Sequence, residues 1–169
     1  LAVGGWQSAV GSYSMLDSMP DGTPFALLVV DVQSDFCPGG ALAVRHGDAV
    51  VAPLNCAIEW TQAHGGTVYA SRDWHAPDAG HFKPYGGIWP VHCVQNSPGA
   101  ELAPGLEKRL IRKTFAKGVD RELDSYSAFF DNARQKSTGL GDYLESRNIK
   151  EIYIAGVATD YCVLYSVID

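Results

Sequence analysis

The stretch Phe25 to Asp31 reads FALLVVD, six consecutive apolar residues that end on a carboxylate. A continuous apolar run of this length is typical of a strand buried on both faces, as in a parallel sheet. An unpaired carboxylate directly after such a strand would be costly to bury. The stretch therefore predicts a central parallel strand, with a polar partner or a proton-transfer role for Asp31.

Further strands and helices alternate along the rest of the chain. This alternation indicates an α/β fold with a parallel sheet. The first helix is predicted to begin at Asp48, as its N-cap, and to stop at Gly65. The other predicted strands cover 67–71, 110–115 and 151–155, and a second helix covers 140–147.

Length and charge exclude several classes of protein. The 169 residues fit one domain with a sizeable core. A net charge of −6 argues against a nucleic-acid surface, which needs a basic stripe. No apolar run approaches the roughly 20 residues of a membrane span.

The first residues of the chain and its cysteines indicate the cellular compartment of the protein. Residues 1–18 are rich in Gly and Ser and lack the pattern of a secretory signal, so we expect a disordered leader before a hydrolase domain at 19–169. The four cysteines follow no compact disulfide spacing, which favours a reducing cytoplasm.

Reactive residues follow the predicted strands at one end of the sheet. Asp31, Asp73, Lys117 and the turn 156–162 each come after a strand. Ligands of open parallel sheets bind at the carboxyl ends of the strands. The sequence therefore predicts an active site at this rim. The long segment 74–105, rich in Pro, Gly, His and Trp, fits a functional loop beside it.

Cys162 lies in GVATDYCV, a turn of small residues before an apolar segment that could start a helix. The positive end of a helix favours a thiolate, and its free N–H groups could bind an oxyanion. A lone cysteine is more often inert and buried. Asp31 and Lys117 favour a nucleophile, since a nearby ammonium would lower the pKa of the thiol and pair with the carboxylate.

A second group contains Asp73, His75, His81 and His92, with three of the chain's five histidines within 18 positions. Imidazoles with a carboxylate suit Zn²⁺, Fe²⁺ or Mn²⁺. Each histidine alone could equally be an ordinary loop or core residue. Together they predict a metal site.

Three aromatic residues, Phe36, Trp89 and Tyr126, lie near these elements in the sequence. Core packing explains them equally well. The functional interpretation is a slot that stacks a flat aromatic ring.

The chain resembles the nicotinamidase (pyrazinamidase) branch of the isochorismatase-like cysteine hydrolases. The resemblance covers roughly residues 25–166, and its blocks appear in family order. They are DVQSDFCPGGALAV, SRDWHAPDAGHF, WPVHCVQ, FAKG and GVATDYC.

The resemblance implies a three-layer α/β/α fold and hydrolysis of nicotinamide, and also of pyrazinamide, to the acid and ammonia through a Cys162 thioester. It further implies one divalent metal ion, with zinc the first choice and iron or manganese alternatives, and a cis peptide between Val157 and Ala158. Subunit association into a homo-oligomer is compatible with the family. The implied roles are catalytic for Asp31, Lys117 and Cys162, oxyanion binding for Ala158 and Cys162, substrate binding for Phe36, Trp89 and Tyr126, and metal binding for Asp73, His75 and His92, with His81 a further ligand in some members.

The sequence departs from the family pattern after Cys162, where only seven residues follow. Family members continue through further helix and strand segments. We therefore expect a C-terminally truncated domain, with part of the sheet missing and 151–155 left as an apolar edge.

Two other functions stay open. One is a sibling amidase of the same superfamily that acts on another small amide or a carbamoyl group. The D-x-H cluster argues against siblings that hydrolyse a vinyl ether, since these lack it. The other is an inactive, metal-binding fragment with a structural or regulatory role, which the presence of Asp31, Lys117 and Cys162 argues against.

Overall fold

A computed structural model describes residues 22–169, and the predicted leader at 1–18 lies outside the described residues. Strands and helices alternate along this part of the chain, as the sequence predicts. The elements are β1 (Phe25–Val30), α1 (Val51–Ala63), β2 (Thr67–Asp73), β3 (Ile111–Lys117), α2 (Leu140–Ser146), β4 (Glu151–Gly156) and α3 (Leu164–Ile168).

The four strands form one parallel sheet in the order β3-β2-β1-β4. The apolar strand β1 lies inside the sheet, and all six of its residues are buried. Val30 is in register with Ser71 of β2 on one side and with Gly156 of β4 on the other. The predicted parallel α/β fold is confirmed.

Helices cover both faces of the sheet, because successive side chains of β1 point to opposite sides. On one face, Leu27 and Val29 pack with Leu54 and Ile58 of α1. On the other face, β1 packs against α2 and the segment around Cys162. The buried residues there are Ala26, Leu28, Val30, Tyr69, Phe115, Ala128, Leu140, Leu144 and Cys162. The result is the expected three-layer α/β/α arrangement.

The bounds of two strands differ from the prediction. Strands β2 and β3 each continue two residues further, to Asp73 and Lys117, and these two residues are partners in the sheet. The strands continue through these two polar residues, because the ion pair between their side chains allows both to be buried at the strand ends.

The start of the first helix was also predicted wrongly. Asp48 is not an N-cap: Gly47–Val50 forms a 3₁₀ turn, and α1 begins at Val51 without a side-chain cap. The turn begins at His46, whose backbone is left-handed with φ of 57°.

The segment between β2 and β3 contains only short 3₁₀ turns, as the composition of 74–105 suggested. Isolated bridges hold it in place, including His75 to Val94 and Phe82 to Trp89. Trp74 donates to the Lys117 carbonyl and Ala103 to the Val32 carbonyl, so the segment is joined to the carboxyl ends of β3 and β1.

Strand β4 forms one edge of the sheet described here, and most of its residues are only partly buried. We predict that further strands and helices complete the domain beyond β4. No helix within residues 22–169 is long and apolar enough to cross a membrane.

The backbone of β4 comes very close to β1 at Gly156, and a substitution there probes this close approach. A Cβ at Gly156 would lie 2.1 Å from the Val30 carbonyl oxygen, and its φ is 151°. We expect Gly156→Ala to lower the free energy of unfolding by about 2–5 kcal/mol, through overlap and backbone strain, in urea denaturation followed by circular dichroism.

Gly139→Ala is the matched control. Gly139 also has a positive φ, of 81°, but no atom lies within 4 Å of its added Cβ. Only the backbone strain of about 1–2 kcal/mol should appear there. Equal losses for the two variants would contradict the close approach at Gly156.

Candidate active site

The ends of three neighbouring strands meet around one buried ammonium group. The Lys117 side chain is fully buried, and its Nζ lies 2.9 Å from Asp31 Oδ2 and 2.5 Å from Asp73 Oδ1. The ammonium also donates to the carbonyl of Ser125 (2.7 Å) and lies 3.5 Å from Cys162 Sγ. The structure thus brings together the three residues predicted to be catalytic.

The backbone turns sharply where β1 ends, since Asp31 is left-handed with φ of 50°. Two side chains replace the interrupted pairing with β2. Ser71 Oγ donates to Asp31 Oδ1 at 2.7 Å. The Gln33 amide accepts from the Asp73 N–H at 2.7 Å and donates to the Asp73 carbonyl at 2.8 Å. The carboxylate of Asp31 and the backbone of Asp73 are therefore held by hydrogen bonds with nearby side chains.

Cys162 lies in a π-helical turn, Thr159–Val163, that leads into α3. The thiol is buried, with 8% of the residue exposed. The peptide bond between Val157 and Ala158 is cis, as the family resemblance implied. The cysteine therefore enters the site from the first turn of a helix, as predicted.

The protonation of this cluster differs from the prediction. Burial raises the pKa of the Cys162 thiol well above its usual range, and the nearby Asp31 and Asp73 add to this, while Lys117 opposes it. The predicted lowering of the thiol pKa by Lys117 is present, but the pKa stays raised, so the resting thiol keeps its proton. A local helix terminus and one cation do not outweigh burial next to two carboxylates.

Burial also raises the pKa of Asp31, against the lowering effect of Lys117. For Lys117, burial lowers the pKa, but Asp31 and Asp73 outweigh it and hold the pKa well above its usual value. Among residues 22–169, no donor makes a well-aligned hydrogen bond to Asp31 Oδ2, although the ammonium is close. This carboxylate oxygen can therefore accept a proton.

A cavity of about 230 Å³ opens beside the thiol. Cys162, Ala158, Asp73 and His92 all line it. The remaining wall residues are Phe36, Leu42, Ala43, Val44, Trp89, Asp124, Tyr126, Asp160 and Tyr161.

Aromatic rings line the sides of this cavity. Trp89 meets Tyr161 edge-on at 5.3 Å between ring centroids, and its Nε1 donates to the Tyr126 hydroxyl at 3.2 Å. Phe36 lies 5.7 Å from the His92 ring. The three aromatic residues identified in the sequence thus share one cavity with Cys162.

The carboxylate of Asp73 and the imidazoles of His75 and His92 form a second buried group. Nε2 of His75 lies 3.5 Å from Asp73 Oδ2, and Nε2 of His92 lies 3.9 Å from the same oxygen. Nδ1 of His75 faces the Gly118 carbonyl and Nδ1 of His92 the Pro90 carbonyl, at 2.9 and 2.8 Å. Carbonyls only accept, so each Nδ1 carries a proton, and each ring in its neutral form offers the Nε2 lone pair.

This group fits a divalent metal ion. Ligand atoms of Asp73, His75 and His92 lie within 4.8 Å of one another. His81 contacts His75 at 4.3 Å between centroids, and within the described residues neither nitrogen of its buried ring has a hydrogen-bond partner. Burial lowers the pKa of His81 to about 4, so its ring is neutral and available as a ligand.

Several residues of the site were missed in the sequence. Ser71 contacts the Asp31 carboxylate, Gln33 contacts the backbone of Asp73, and Asp124 and Tyr161 line the cavity. Tyr161 could have been found, because it precedes Cys162. Ser71 gave no signal, since a serine inside a short strand is common.

The fold and these contacts define an α/β protein with a buried Asp–Lys–Cys cluster and an adjacent carboxylate–histidine group. The Isochorismatase domain family matches residues 25–169. Nicotinamidase of Escherichia coli is 47% identical over 161 residues, which cover 86% of this chain and 76% of that protein.

Two solved structures have similar folds. The L. infantum protein PnC1, in complex with nicotinate, superposes with a TM-score of 0.80 at 37% identity and covers 87% of this chain and 73% of its own. Pyrazinamidase of Pyrococcus horikoshii, in complex with zinc, gives 0.77 at 39% identity, with coverage of 86% and 76%. The chain belongs to the isochorismatase family, and the predicted resemblance to its nicotinamidase branch is confirmed.

Lys117→Met tests the stabilising role of the buried ammonium. The variant would leave Asp31 and Asp73 buried without their cation, so we expect the free energy of unfolding to fall by about 3–5 kcal/mol in urea denaturation. Lys136→Met removes an exposed lysine paired with Asp120 and should cost no more than about 1 kcal/mol. Similar losses in the two variants would show that the buried pairs contribute no more than a surface pair.

Proposed function

We propose that this chain is an amidohydrolase that converts nicotinamide to nicotinate and ammonia, and accepts pyrazinamide as well. One observation carries the proposal: the cluster of Lys117, Asp31 and Cys162 opens into a small aromatic cavity. The nicotinamidase relatives support the choice of substrate. A cavity of about 230 Å³ suits a single-ring amide.

The ring of the substrate binds between Phe36 and Trp89, with Tyr126 supporting Trp89 through its hydroxyl. Apolar walls favour a flat neutral ring. The amide then points towards Cys162 and Ala158 in the cavity wall. Binding in this orientation holds the carbonyl carbon near the thiol, which lowers the entropic cost of attack.

Asp31 acts as the general base. Its Oδ2 takes the proton of the Cys162 thiol, and the sulfur attacks the amide carbonyl carbon. The raised pKa of Asp31 brings the carboxylate closer in basicity to the thiol, which favours this transfer. The Lys117 ammonium, 3.5 Å from the sulfur, stabilises the negative charge while it is there.

The backbone N–H groups of Ala158 and Cys162 bind the oxyanion of the tetrahedral intermediate. Asp31 returns the proton to the amide nitrogen, the C–N bond breaks, and ammonia leaves a thioester on Cys162. Asp31 then takes a proton from water, whose oxygen attacks the thioester carbonyl. The C–S bond breaks, nicotinate is released, and the proton returns to the sulfur.

Asp73, His75 and His92 hold one divalent metal ion, zinc in our proposal, with His81 as a further ligand. The buried donor atoms support this assignment, as do the His81 nitrogens, which make no hydrogen bond within residues 22–169. When bound, such an ion would supply a Lewis acid for the pyridine nitrogen of the substrate. The cysteine chemistry is carried out by Asp31, Lys117 and Cys162.

A cytoplasmic location is part of the proposal, supported by four free cysteines. A sibling amidase specific for another small amide is the second candidate, since the same cluster could attack any amide that fits the cavity. An inactive fragment is the third. An ammonia-release assay on nicotinamide, pyrazinamide and a carbamoyl substrate separates these outcomes.

Cys162→Ala should abolish ammonia release from nicotinamide, because the atom that forms the thioester is gone. The ring contacts remain, so nicotinamide should still quench the tryptophan fluorescence with a Kd within a few fold of the wild type. Cys56→Ala, at an exposed cysteine, should keep full activity. Turnover in the Cys162→Ala variant would rule out the covalent route.

His92→Ala should lower zinc affinity by more than about 100-fold, since it removes a direct ligand. Zinc content by mass spectrometry and nicotinamide Kd measure the two expected consequences, loss of metal and weaker substrate binding. His46→Ala, at an exposed histidine, is the matched control and should retain both. Unchanged zinc content in the His92→Ala variant would overturn the metal assignment.

A further inference from the structure

The Asp31 carboxylate is held unequally at its two oxygens. Oδ1 accepts a hydrogen bond from Ser71 Oγ at 2.7 Å. Oδ2 lies at 2.9 Å from Lys117 Nζ, and the described part of the chain offers it no well-aligned donor. Asp31 and Ser71 are both completely buried. Water therefore does not substitute for the serine hydroxyl.

Ser71 reaches this position through the register of the sheet. It pairs with Val30, the last residue of β1, and its carbonyl accepts from the Asp31 N–H at 3.3 Å. Backbone and side chain of one residue thus contact both ends of Asp31. Ser71 is absent from the wall of the substrate cavity.

The Asp31 carboxylate lies near the thiol, with one of its oxygens within 4.8 Å of Cys162 Sγ. We propose that Ser71 is a positioning residue: its hydroxyl fixes Oδ1 of Asp31 and so keeps Oδ2 available to the Cys162 thiol. Without the hydroxyl, the carboxylate would have one strong partner, the Lys117 ammonium. Both oxygens would then turn towards that cation, and the thiol would lose its proton acceptor. This role rests on the catalytic scheme proposed above.

The first test compares Ser71→Ala with the wild type in ammonia release from nicotinamide. Loss of one hydrogen bond to a charged group should lower kcat by roughly 10- to 100-fold. KM should stay within about twofold, because Ser71 does not line the cavity. Ser71→Thr keeps the hydroxyl and should restore most of kcat. If thermal melting shows that Ser71→Thr is unfolded, Ser71→Cys takes its place. A thiol is a weaker donor of similar size, so this variant should give an intermediate kcat.

Thr61→Ala is the matched control. Thr61 is buried, and its hydroxyl donates to the Ala57 carbonyl at 2.7 Å inside α1, away from the cavity. The variant loses a buried hydroxyl of the same kind. We expect a similar small drop in melting temperature with no change in kcat.

A second readout needs no substrate. Iodoacetamide labels Cys162 and the exposed Cys56 in the same sample, and peptide mass spectrometry gives both rates. In Ser71→Ala the Cys162 rate should fall about tenfold, since proton removal from the thiol limits alkylation. The Cys56 rate should be unchanged.

The outcomes separate this role from the proposed activity. A wild type that releases no ammonia overturns the activity, while the Cys162 to Cys56 labelling ratio still reports on Ser71. A Ser71→Ala variant with wild-type kcat and wild-type labelling overturns the positioning role. Equal slowing of iodoacetamide labelling at both cysteines also overturns it. So does a loss of kcat that neither Ser71→Thr nor Ser71→Cys restores.

Discussion

The site depends on one buried ammonium. A charged group in a protein interior is costly unless it is paired and hydrogen-bonded. Lys117 meets this condition only because Asp31, Asp73 and the Ser125 carbonyl converge on it from three parts of the chain. The three strand ends must therefore align for the fold to form, and the same alignment places Cys162 against the cluster.

The charge balance of the cluster explains its protonation. One ammonium faces two carboxylates, so the group carries an excess of negative charge in a buried environment. A thiolate would add to that excess, which keeps Cys162 protonated and leaves Asp31 as the acceptor. A divalent ion beside Asp73 would offset the excess. The metal group and the cysteine group are thus linked through Asp73, which faces both Lys117 and the two histidines.

Much of this arrangement could be predicted from the sequence, because it follows from local patterns. The apolar run bounded by Pro24 and Asp31 predicts the position of β1. Because the carboxyl ends of parallel strands meet at one edge of a sheet, Asp31, Lys117 and Cys162 could be predicted to lie close together there. The ends of β2 and β3 were missed because Asp73 and Lys117 look like loop residues until their ion pair is known. Ser71 and the pKa of Cys162 depend on strand register and burial, which no local pattern encodes.

If the Lys117 cluster makes Cys162 the nucleophile, the acyl group of the substrate must pass through this sulfur. Acid quenching of the full chain during nicotinamide turnover, followed by peptide mass spectrometry, detects this intermediate. We expect the peptide containing Cys162 to gain one nicotinoyl group in place of the thiol hydrogen, and the other three cysteines to stay unmodified. Ammonia release with an unmodified Cys162 at every quench time, or a nicotinoyl group on another residue, would contradict it.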